Sequence, residues 1–125
     1  MDIMKQVQYW KASALEDWQV GAGLVRAGKI RHGLFFLHLA MEKMLKAHVC
    51  KATRDLAPRL HSLVQLAEMS KLSFSEAKMN VLADLNRFNL AGRYPDMLAP
   101  GISQKEVSVR KIAARGVFQW LRSQL

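Results

Sequence analysis

The chain has little of what usually braces a small fold from outside. Its 125 residues include one cysteine, three prolines and seven glycines. A lone thiol forms no internal disulfide, so a disulfide-stapled mini-domain is excluded. Cys50 lies in the apolar stretch HLAMEKMLKAHVCK and is expected to be a buried, inert thiol in a reducing compartment. No apolar run reaches the roughly 18 residues needed to span a bilayer. The opening MDIMKQVQYW has neither a hydrophobic h-region nor a small-residue cleavage site. A cytoplasmic protein with no membrane contact is therefore expected. No alternating strand pattern and no internal repeat occurs. Acid is also scarce, with ten Asp and Glu against nineteen Lys and Arg, a formal net charge of +9. That balance favours anionic company: nucleic acid, nucleotide or an acidic protein surface. The basic residues are scattered without a long run, so a generally cationic soluble surface is the plainer reading.

What is present is helical periodicity. Half the residues are hydrophobic, enough to build one core in a chain of this length. Ile3, Val7, Trp10, Ala14, Trp18, Gly21 and Val25 recur every three or four positions over residues 3–27, which predicts one amphipathic helix with Gly28 as its stop. Residues 30–51 are apolar on nearly every face, so this helix should be central. A narrow polar strip crosses it, with His38, Glu42 and Lys46 four apart and Lys43 alongside. A connector with Pro58 leads to a short helix from about Leu60 to Lys71, with Leu63, Leu66 and Ala67 inward. Ser73 and Glu76 have capping-box spacing and open a helix whose stripe is Ala77, Val81, Leu82, Leu85 and Phe88. Gly92 ends it and Pro95 prevents resumption. Ser103 and Glu106 form a second capping box. The last helix is expected to turn Val109, Ile112, Ala113, Gly116, Val117 and Trp120 inward, and Lys105, Lys111, Arg115 and Arg122 outward. These elements predict an all-α, up-and-down four-helix bundle with one extra short helix, as a single domain over residues 1–125.

The residues that can carry chemistry gather around NRFNLAGRYPD, positions 86–96. Arg93 follows a helix end, where a cation is favoured by about 0.3–1 kcal/mol. It either caps helix carbonyls or edges a site in which it binds phosphate while Tyr94 stacks on a base or sugar. Asp96 completes the group. Glu42 is expected to hold Arg93 or Arg87 in a buried ion pair. Lys43 and Lys46 are candidates to face an anion in the same groove. Asn86 and Asn89 are either satisfied core amides or part of the cleft lining. His38 and Glu42 are too few to ligate a metal, and no metal or cofactor is expected. His61 should order its connector through a backbone hydrogen bond. Trp10, Trp18 and Trp120 have the spacing of packing or dimer contacts.

The order of these features resembles the HEPN family. HLAMEKMLKAHV at 38–49 is similar to that family's second helix, and GKIRHGLFFLHLAMEK at 28–43 to the turn that leads into it. LHSLVQL at 60–66 is similar to its His-x-Leu short helix, and RYPD at 93–96 to the tail of its fourth helix. The resemblance implies a helical bundle that pairs as a homodimer. It implies a minimal nucleotidyltransferase as partner in a toxin–antitoxin-type pair, and nucleotide or RNA as ligand. Many members are metal-independent ribonucleases marked by an Arg followed four to six residues later by His. Here Arg87 is followed by FNLAGRYP, and no histidine occurs after His61. A binding module without the usual acid–base histidine is therefore expected. The alternative is a ribonuclease with altered residues, using Arg87 or Arg93 with Tyr94.

Overall fold

The computed structural model describes residues 2–87 and 103–125. Among these are five helices and no strand: α1, Ile3–Arg26; α2, Ile30–Thr53; α3, Leu63–Met69; α4, Glu76–Asn86; and α5, Gln104–Ser123. The all-α class matches the expectation.

Each of four helix starts is fixed by a short polar side chain. The oxygens of Asp2, Ser62, Ser75 and Ser103 accept from the backbone N–H three residues on, satisfying one of the four orphan donors at each of these starts. Ser75 therefore replaces Ser73 as the cap of α4, which makes Glu76 its first helical residue. The short helix is tighter than expected, because Ser62 sets its start. α1 ends in a Schellman motif. Gly28 adopts φ +81°, its N–H bonds to the Val25 carbonyl, and the Lys29 N–H bonds to the Leu24 carbonyl.

α2 is the axis of the molecule. From Ala40 to Cys50, every residue except Lys43 is buried. It packs most closely on α1, where the backbones meet at two glycines. A Cβ on Gly33 would lie 2.6 Å from Val25 Cγ2 and 2.9 Å from the Val25 nitrogen. One on Gly21 would lie 2.9 Å from the Leu37 nitrogen. α5 closes the other side. Trp18 stacks on Phe118 with centroids 4.5 Å apart, and Gln104 donates to the Val25 carbonyl at 3.0 Å. Cys50 is buried as expected, and burial pushes its thiol pKa up.

Two stripes differ from expectation. Ala77 of α4 is exposed, and the buried members there are Leu82 and Leu85. On α5 the buried set is Val107, Ala114, Val117, Phe118 and Leu121. Val109 and Ile112 are instead 59% and 70% exposed, and Ala113 and Gly116 are also outside. This helix carries apolar residues at helical spacing on two faces, and periodicity alone does not choose between them.

Gly33→Ala is expected to cost about 1–3 kcal/mol by overpacking, in spite of its better helix propensity. Gly116→Ala meets nothing within 4 Å and should gain about 0.5–1 kcal/mol. Urea unfolding of the two variants beside the parent protein checks both signs.

Candidate functional site

The polar strip of α2 is enclosed. His38, Glu42 and Lys46 are 1%, 4% and 6% exposed. A carboxylate in such a place persists only if it is paired and hydrogen-bonded. Glu42 meets that demand at both oxygens. Oε2 accepts from Lys46 Nζ at 3.1 Å, and Oε1 lies 3.0 Å from His61 Nδ1. The Lys46 ammonium also sits 5.3 Å from the centroid of the Trp10 ring, a favourable cation–π geometry.

Of the two cations expected at Glu42, the Arg87 alternative is thus corrected, and Arg93 lies outside the described residues. Arg87 turns away and pairs with Asp84 of its own helix, while Glu42 takes its cation from the next turn of α2 and a hydrogen bond from the connector. His61 is corrected with it, since its partner is a carboxylate and not a backbone group. The reason is reach. Lys46 is one turn from Glu42 on the same helix, and His61 stands just before α3, which packs on α2.

Asn86 resolves toward the core reading. Its Oδ1 accepts from the backbone N–H of Leu63 at 3.1 Å, one of the orphan donors at the start of α3. His38 Nε2 lies 3.3 Å from the same oxygen. Because the Leu63 N–H can only donate, Asn86 presents its carbonyl oxygen, and His38 carries the proton on Nε2. Glu42 and Asn86 together therefore hold residues 61–63 against α2 and α4.

Lys43 is committed elsewhere, with Asp17 Oδ2 and Ser13 Oγ each 2.7 Å from its ammonium. Of the proposed anion ligands, Lys43, Lys46 and Asn86 thus have partners within the fold. Asn89, Arg93, Tyr94 and Asp96 lie outside the described residues. Arg87 stands at the surface at the end of α4, its side chain 65% exposed. The residue that sequence reasoning undervalued is His61. Its side chain is 60% exposed, and a buried carboxylate orients its imidazole. The signal available was the polar strip itself, whose glutamate needed a partner.

The HEPN domain family matches residues 7–124. The chain belongs to the HEPN domain family. The fold of this HEPN chain is shared by TT1696 from Thermus thermophilus, at TM-score 0.80 and 19% identity, covering 96% of this chain and 98% of that one. It is also shared by ST0689, an archaeal HEPN homologue, at TM-score 0.71 and 18% identity, covering 94% and 96%. No curated protein matches significantly. Among the described residues of the HEPN domain, no helix is long and apolar enough to cross a membrane.

A second buried imidazole, His48, ties α2 to α5. Its Nε2 donates to the Leu121 carbonyl at 2.7 Å. Burial lowers its pKa, against the Leu121 hydrogen bond and with help from Lys51.

Glu42→Ala should cost about 3–5 kcal/mol, because it strands the Lys46 ammonium in the interior. Replacing both, as Glu42→Leu with Lys46→Met, should restore most of that loss in urea titrations. The His48 site gives a pH dependence. The unfolded chain takes up a proton near 6.5 while the folded chain still resists it, so stability falls as pH drops below 6.5 toward the depressed folded value. His48→Gln keeps a donor for Leu121 without that titration. Its melting temperature should fall less than the parent's between pH 7.5 and 5.5.

Proposed function

We propose that this HEPN chain is a homodimeric binding module. Its cleft, at the end of α4 and the RYPD segment, takes an anionic group: a nucleotide, an RNA segment or the surface of a minimal nucleotidyltransferase partner. The supporting observation is the fastening of α4 at its last residue. Asn86 is bonded to both His38 and Leu63, so the chain leaves for Asn89, Arg93 and Tyr94 from a fixed point beside the α2 strip. Arg87 adds an exposed guanidinium there. In this reading Arg93 binds phosphate bidentately and Tyr94 stacks on the base or sugar. In this reading the buried Lys46 and the half-buried Lys43 contribute to the fold and not to the ligand.

The same geometry favours a second reading, a metal-independent ribonuclease. His61 lies two residues before Leu63, hence beside the end of α4, and its ring is oriented by Glu42. That imidazole supplies the proton transfer that the missing Arg-to-His spacing takes away.

Melting with ATP or GTP and binding of labelled RNA test the first reading. A ligand at 100 times its Kd adds about 2.7 kcal/mol of stability, and Arg93→Ala should abolish the shift. A shift of equal size in the variant would count against the cleft. RNA cleavage by the parent chain that disappears in His61→Asn, which keeps an N–H donor for Glu42 and the parent's circular dichroism, would establish the second reading instead. Light scattering decides the dimer.

A further inference from the structure

The outer face of α5 is built unlike the rest of the surface. Val109, Ile112, Ala113 and Gly116 have the i, i+3, i+4, i+7 spacing of a helix seam, yet none is buried. Val109 and Ile112 are among the most exposed large hydrophobic residues of the described chain. Gly116 has open space where a Cβ would stand, so another backbone can approach there closely. Val109 also lines a groove of about 380 Å³ with Asp84, Lys105, Glu106 and Arg110, which widens the apolar seam toward α4.

A basic row runs along one flank. Lys111, Arg115 and Arg122 share one side of α5, and Arg26 at the end of α1 adds its charge to Lys111 from the neighbouring helix. Among the described residues, no carboxylate lies within ion-pair distance of Lys105, Lys111, Arg115 or Arg122. The nearby Asp84 already serves Arg87 and Arg110.

We propose that the outer face of α5 docks an acidic amphipathic helix of a partner protein, its apolar ridge on Val109, Ile112 and Gly116 and its carboxylates on Lys111 and Arg115. A second copy of this chain fits poorly. It brings the same uncompensated cations to the contact, in a chain already at +9. A nucleic acid fits poorly as well. Phosphates gain nothing from a valine–isoleucine seam, and the face lacks an aromatic platform for bases. The nearest ring along α5, Trp120, is packed edge-on against Phe74 and covered by the Lys78 ammonium. The groove meets α4 at Asp84, but the seam and its basic flank belong to α5, so Ile112→Asp and the charge reversal test this inference without altering a residue assigned to the cleft.

The test uses the full chain and a synthetic helix with leucines at i, i+3, i+4 and i+7 and glutamates along one flank. Fluorescence anisotropy should show binding that weakens with salt. Ile112→Asp and the pair Lys111→Glu with Arg115→Glu should each weaken it at least tenfold. A peptide with lysines in place of the glutamates should not bind. Ile112 and Arg115 are exposed and Lys111 is half-buried, so unchanged circular dichroism should accompany the loss in both variants, and unchanged melting in Ile112→Asp. Absence of binding, or binding indifferent to Ile112→Asp, overturns the proposal. So does self-association of the chain that Ile112→Asp abolishes, which would make the face a homodimer contact. RNA binding lost in the charge-reversed variant but kept in Ile112→Asp would make it a phosphate surface and overturn it equally.

Discussion

A carboxylate shut inside the most enclosed helix is the constraint around which the rest is arranged. Burying Glu42 without partners would be prohibitively costly, so the fold must bring it a cation and a further hydrogen bond. Lys46 supplies the first from one turn away, and Trp10 covers that ammonium from α1. His61 supplies the second and thereby fixes where the connector crosses α2. Asn86 then takes up the start of α3 and binds α4 to the same place. One charged residue thus links the register of α1, the path of the connector and the end of α4.

The α1–α2 contact has the opposite chemistry. Gly21 and Gly33 remove side chains so that backbones touch, and the apolar residues around them gain dispersion contacts in proportion. Rigid glycine packing on one side and a satisfied polar network on the other make α2 a fixed reference. The end of α4, from which the chain runs on to RYPD, is therefore held in place from two directions.

Charge is distributed to match. Several interior or half-buried polar groups are paired: Lys46 with Glu42, Lys43 with Asp17, His48 with a carbonyl. Much of the surplus of basic residues consequently lies on outer faces, above all on α5. There it borders apolar side chains instead of ordinary polar surface. Such a combination has the character of an unfinished interface.

Periodicity and breakers were enough to read the five helices of the described residues, the central place of α2 and the stop at Gly28, because those features follow from local chain geometry, while the family came from the resemblance of motifs such as HLAMEKMLKAHV and LHSLVQL. They were not enough to tell which of the two apolar faces on α5 is buried, since Val109 and Ile112 have the same spacing as Ala114 and Val117. Nor could they pair Glu42 with its true partners. Sequence marks a glutamate in an apolar helix as needing a cation, but which cation reaches it depends on helix rotation and on the connector's path. The sequence by itself thus determined what had to be satisfied. Only the tertiary structure decided who satisfies it, because hydrogen bonds and ion pairs act over about 3 Å, a distance that only packed helices set.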